Sequence, residues 1–90
     1  MTITQGACAG TLESSDAYVE IEPADKGLTV QIESVVEKQF GGAIRAAVLD
    51  VLEELNVKNA QVRIIDRGAL ECVIRARVET AVLRGNEVLS

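Results

Sequence analysis

Ninety residues with a net charge of −5 and no histidine make one small domain, whose core has to be economical. Hydrophobic residues are 48% of the chain but aromatics only 2%, Tyr18 and Phe40, so the core is built from Val, Ile, Leu and Ala. These numbers exclude a basic nucleic-acid surface and an aromatic stacking platform, and the lack of histidine removes the usual general base and the commonest metal ligand.

The first residues are small and polar and read as a loose N-terminal arm, residues 1–13. From Asp16 to Glu22, Ala17, Val19 and Ile21 alternate with Tyr18, Glu20 and Glu22, the period of a half-buried strand, and Pro23 ends it by removing a ladder donor. Asp25-Lys26-Gly27 supplies turn chemistry, and Leu28 to Ile32 alternates again with Leu28, Val30 and Ile32 inward. Two strands with a short glycine-containing link predict a hairpin. Ser34 is a helix N-cap with Glu37 in capping-box position. Val36, Phe40, Ile44, Ala47, Val48, Val51, Leu52 and Leu55 then recur at helical spacing up to a stop at Asn56. Gly41-Gly42 inside this run either admits close approach of another backbone or weakens the helix locally.

Gln61 to Asp66 reads as a third strand around Val62 and Ile64, and Asp66-Arg67-Gly68 as a turn. The stretch from Leu70 satisfies both an alternating and a helical pattern; it is long for a strand, so Glu71 to Leu83 is assigned as helix, closed by Gly85-Asn86. The expected fold class is α+β: a small antiparallel sheet with two helices packed on one face, in the order β-β-α-β-α, behind a flexible arm. Residues 1–90 form a single domain.

No apolar run approaches the roughly 20 residues that cross a bilayer, and the N-terminus lacks the features of a secretory signal. A cytoplasmic protein without membrane contact is expected. Cys8 and Cys72 are then free thiols rather than a disulfide, with Cys72 a small core hydrophobe. Asp66, Glu71 and Glu79 match no metal-ligand spacing, so no metal is expected. Arg45, Arg63, Arg67, Arg75 and Arg77 are the main cations. They either pair with nearby acids, Arg75 with Glu71 or Glu79 for example, or hold phosphates and docking partners.

The stretch Gly10-Thr11-Leu12-Glu13-Ser14-Ser15-Asp16 sets two hydroxyls beside two carboxylates just ahead of a strand. Nothing nearby activates a serine there as a nucleophile. On composition it is a solvated segment, and Glu13 and Asp16 lack the burial that separates the pKa values of an acid–base pair. The stretch nevertheless resembles the attachment motif of the citrate lyase acyl carrier proteins. The resemblance continues through Ser34-Val35-Val36-Glu37-Lys38-Gln39-Phe40-Gly41, Ala43-Ile44-Arg45, Leu49-Asp50-Val51-Leu52, Asp66-Arg67-Gly68-Ala69-Leu70 and Ile74-Arg75-Ala76-Arg77, nearly the whole chain.

That resemblance implies a non-catalytic carrier subunit. In the family the serine of a Leu-Glu-Ser-Ser/Gly-Asp motif bears, through a phosphodiester, 2'-(5''-triphosphoribosyl)-3'-dephospho-coenzyme A. By position the acceptor is Ser14, and a one-residue shift in register would exchange it with Ser15. Glu13 and Asp16 are then either recognition charges for the prosthetic-group transferase or simply solvated. The implied partners are the α subunit (citrate:acyl carrier transferase), the β subunit (citryl lyase), the prosthetic-group transferase and an acetylating ligase. Carriers of citramalate lyase or malonate decarboxylase are the related alternative, although the blocks look closer to citrate lyase. An unmodified α+β interaction domain is the alternative of another class.

Overall fold

The computed structural model describes residues 1–34 and 37–86, with backbone alone for 37–41. The elements are β1 (Ala7–Gly10), β2 (Ala17–Pro23), β3 (Leu28–Ser34), α1 (Glu37–Glu54), β4 (Ala60–Asp66) and α2 (Glu71–Gly85). The class is α+β, and the expected β-β-α-β-α order follows an additional first strand. That strand corrects the loose arm: Ala7–Gly10 pairs antiparallel with Tyr18–Ile21. Its small residues, Ala-Cys-Ala-Gly, carry too little hydrophobic contrast to show a period of two.

Among the described residues the strands form one sheet in the order β1-β2-β4-β3. β2 is antiparallel to β1 and to β4, whereas β3 runs parallel to β4. The sheet is therefore mixed rather than wholly antiparallel, and the expected β2–β3 hairpin is replaced by an arrangement with β4 between them. Alternation tells which face a residue takes but not which strand lies alongside. A parallel neighbour needs a crossover, and α1 supplies it. Burial is consistent with this placement. β4 buries Ala60, Val62, Ile64 and Asp66, while β3 leaves Leu28 38% exposed and only half-buries Val30 and Ile32, as suits an edge. The turn at Gly27 (φ +83°) forms as expected but faces β4: its N–H donates to Asn59 Oδ1 at 2.7 Å, and its carbonyl accepts from Ala60 N–H at 3.1 Å.

Both helices cover one face of the sheet. α1 contributes Ile44, Ala47, Val48, Val51 and Leu52, and α2 contributes Ile74, Val78, Ala81 and Val82, against Val19, Ile21, Val62 and Ile64. The helical reading of the ambiguous stretch holds, and the helix runs to Gly85. Cys72 is exposed on it rather than in the core; both thiols are free. α1 stops at Asn56 as expected, in the left-handed region (φ 54°). Val57 N–H reaches Leu52 O (2.9 Å) and Asn56 N–H reaches Glu53 O (3.0 Å). This pair of bonds satisfies carbonyls that the helix end would otherwise orphan, and Val57 is buried in the same cluster as Leu52.

At Gly42 an added Cβ would meet nothing within 4 Å, so there is no close approach there to explain the glycine. Val36 and the side chains of Glu37 and Phe40 lie outside the described residues, and with them the Ser34–Glu37 capping box and the surroundings of Gly41. Ser34 itself closes β3 and donates from Oγ to Asp66 Oδ2 at 2.8 Å.

The first residues are docked on the C-terminal end of α2. Thr4 and Gln5 donate their N–H groups to Gly85 O (2.8 and 3.2 Å), Gln5 Nε2 donates to Arg84 O (2.9 Å) and Asn86 Nδ2 donates to Thr2 O (2.6 Å). A helix leaves its last carbonyls unpaired, and here the N-terminal segment supplies the missing donors. Ile3 is 4% exposed beneath it. Gly85 makes room: a Cβ there would crowd Ile21 Cγ2, Gln5 O and Ile3 Cγ2 at 3.2–3.3 Å.

Candidate functional site

With β1 in place, the serine stretch becomes the connection from β1 to β2 rather than the end of a free arm. Gly10 opens it with φ +96°, and a Cβ there would overlap the Ala17 carbonyl oxygen and crowd Arg77 Cδ at 3.2 Å. Glycine alone fits, because the chain must turn while passing close to another backbone. Glu13 to Asp16 then makes a four-residue turn closed by Asp16 N–H to Glu13 O at 3.2 Å. Its third residue, Ser15, has φ 65°, which is the type II pattern. Ser14 is its second residue, at the apex and exposed, as is Ser15.

Asp16 holds this turn from beneath. Its carboxylate accepts from Thr11 Oγ1 (2.7 Å), from Ala17 N–H (2.7 Å) and, across both oxygens, from Arg77 Nε (3.0 Å) and Nη2 (2.9 Å) of α2. A fork-to-fork pair of this kind is among the stronger hydrogen-bonded contacts. The bonds from Arg77, Thr11 and Ala17 hold the Asp16 carboxyl down to about 2, against 3.8 ordinarily. Asp16 is therefore neither a solvated charge nor one available to a partner, which settles the alternatives left open for it. Glu13 remains exposed.

A second loop meets the first. Asp66, 2% exposed, accepts at Oδ1 from Gly68 N–H (3.2 Å) and Ala69 N–H (2.8 Å), shaping the turn expected at Asp66-Arg67-Gly68. Gly68 takes φ +89°. Two backbone bonds then stitch the loops together, Ser15 N–H to Arg67 O at 2.8 Å and Arg67 N–H to Asp16 O at 2.9 Å. Ser14 thus protrudes from a platform fixed to β1, β2, β4 and α2. With its oxygens engaged, Asp66 is a structural acid, and no group of three or more metal-ligating side chains gathers among the described residues.

The nominated arginines separate. Arg75 pairs with Asp50 at 2.6 Å and with Glu71 at 3.8 Å, and not with Glu79. Arg63 bridges Glu20 (3.7 Å) and Glu33 (3.3 Å) on the open sheet face. Arg45 Nη1 donates to Val30 O at 2.9 Å. Arg67 alone of the five has its backbone bonded to the serine turn, through Ser15 N–H and Asp16 O, and has no side-chain partner among the described residues. Sequence reasoning named Asp16 and Arg77 but not the pair they form, because no local signal joins residues 61 positions apart. Gly10's role was visible only as a glycine at the start of the motif.

A family model described as Malonate decarboxylase delta subunit (MdcD), under the short name ACP, matches residues 4–85. The citrate lyase acyl carrier protein of Edwardsiella ictaluri (strain 93-146) is 53% identical over 92 residues, covering 100% of this chain and 93% of that protein. That of Vibrio cholerae serotype O1 (strain M66-2) is 54% identical over 89 residues, covering 98% and 91%. A chain of the crystal structure of a Pseudomonas malonate decarboxylase hetero-tetramer in complex with malonate superposes with TM-score 0.76 over 93% of this chain and 91% of that one. At 22% identity it is similar in fold. The four-stranded α+β fold, the exposed serine turn and the family match define a small carrier subunit of the lyase and decarboxylase kind. Within that class, the chain belongs to the citrate lyase acyl carrier proteins.

Proposed function

We propose that Ser14 is the point at which this acyl carrier bears its prosthetic group, and that the chain carries acetyl and citryl groups as thioesters between a transferase and a lyase subunit during cleavage of citrate to acetate and oxaloacetate. The observation that carries the assignment to Ser14 is its place at the exposed apex of a turn whose base is clamped by Asp16 and Arg77. Ser15, next to it, is less suited: its backbone is in the left-handed region and its N–H is bound to Arg67 O.

The group that fits would be delivered as triphosphoribosyl-dephospho-coenzyme A and, after loss of diphosphate, would stay on the serine as phosphoribosyl-dephospho-coenzyme A, whose thiol supplies an activated ester for an acyl group. The residues present suit it: an exposed primary hydroxyl at the apex of the turn, and an exposed arginine, Arg67, whose backbone is bonded to that turn. Attachment makes the Ser14 Oγ–phosphorus bond, breaks the bond from that phosphorus to the departing diphosphate, and releases the hydroxyl proton. This chain has no histidine to take that proton, and the Asp16 carboxylate beside it is saturated with donors. Glu13, the adjacent carboxylate, is exposed to solvent, and the base is assigned to the installing transferase. What the chain itself contributes is tethering at high local concentration, from a turn whose base is clamped by Asp16 and Arg77.

The test is the intact mass of the protein co-produced with an active prosthetic-group transferase, followed by fragmentation. An adduct of that group on Ser14, abolished in Ser14→Ala with the fold intact, is expected. An unmodified chain, with the transferase shown to work on a known carrier, would overturn the proposal.

A further inference from the structure

The phosphodiester proposed for Ser14 is an anion, and the turn that bears it already exposes Glu13. The cations nearby are mostly committed. Arg77 is spent on Asp16, Arg75 on Asp50 and Arg63 on Glu20 and Glu33. Arg45 and Arg84 donate to the carbonyls of Val30 and Cys8. Arg67 differs in two respects. Its backbone is bound in both directions to the serine turn, through Ser15 N–H and Asp16 O. Its side chain is exposed, and no hydrogen bond or ion pair holds it among the described residues. The bonds that place it come from its own N–H and C=O, so they hold whatever its side chain is.

We propose that Arg67 is the positioning cation for the phosphodiester on Ser14, its guanidinium donating to the non-bridging oxygens of the phosphorus attached to Ser14 Oγ. Arginine presents a planar fork that matches two phosphate oxygens at once, and a charge-assisted pair is stronger than a neutral one. Such a contact restrains the first link of the attached arm, directs where the arm leaves the platform and offsets repulsion from Glu13. The inference rests on Ser14 being the attachment point.

The test is phosphorus NMR of the loaded carrier, with the adduct mapped first by mass. Wild type is compared with Arg67→Gln, Arg67→Lys and, as a control, Arg63→Gln. The expected result is that Arg67→Gln shifts and sharpens the serine-linked phosphorus resonance, that Arg67→Lys lies between it and wild type, and that Arg63→Gln leaves it alone. High salt should bring wild type toward Arg67→Gln, since an exposed pair is screened. An identical serine-linked resonance in wild type and Arg67→Gln at low salt overturns the inference while leaving the attachment reading standing. The same identity combined with slower acyl transfer would make Arg67 a docking residue instead. Absence of the adduct from Ser14 in every variant overturns the attachment reading first, and this inference with it.

Discussion

Ser15 and Gly10 show how single backbone angles shape this site. Ser15 sits at φ 65°, where a Cβ costs roughly 1–2 kcal/mol and glycine is at ease. That is a physical reason for a glycine to be accepted in place of Ser15 at this position. Ser15→Gly is expected to keep both the adduct and the melting temperature, while Ser14→Ala keeps the temperature and loses the adduct; mass spectrometry and thermal unfolding together decide. At Gly10 the outcome is the reverse. Gly10→Ala places a Cβ on the Ala17 carbonyl, and destabilisation of about 2–4 kcal/mol is expected from the urea midpoint. The Asp16 carboxyl titrates near 2 in the fold against 3.8 ordinarily, so its contribution is complete above the ordinary value and falls away as pH drops from 3.8 toward 2. The Ala17 amide, bonded to Asp16 Oδ1, should resist hydrogen exchange unchanged from neutral pH down to about 4 and open only below that. Loss of protection at pH 5 would contradict the clamp.

Helix α2 is the element to which the most distant parts of the chain are attached. Its Arg77 holds the serine turn and its last carbonyls receive the N-terminal segment. Ile3 is buried where that segment docks, so Ile3→Ala is expected to cost about 2–4 kcal/mol, far more than a free arm would allow. Hydrogen exchange in such a variant should quicken at the end of α2 before it does in β4. Much of this element was legible beforehand: the helix, its closure at Gly85-Asn86 and the apolar positions Ile74 and Val78. The docking was not, because Thr2 to Gln5 act through backbone donors and one isoleucine, and neither leaves a periodic trace.

At the scale of the molecule, β4 is the centre and β3 the rim. Ile64, fully buried, and Leu28, 38% exposed, occupy strands that looked alike as sequence. Ile64→Ala should cost about 2–5 kcal/mol and Leu28→Ala under about 1 kcal/mol; similar costs from denaturant unfolding would contradict the observed strand order. Residue chemistry and local period by themselves determined a great deal here: the α+β class, both helices, three of the four strands among the described residues and the stop at Asn56. These are short-range properties, written in alternation, helical spacing and turn residues a few positions apart. Tertiary structure alone decided that β4 would enter between β2 and β3, that a weakly patterned first strand would pair, and that Asp16 would meet Arg77. Each of these joins segments far apart in the chain, where the competing pairings share one hydrophobic pattern and only three-dimensional packing chooses among them.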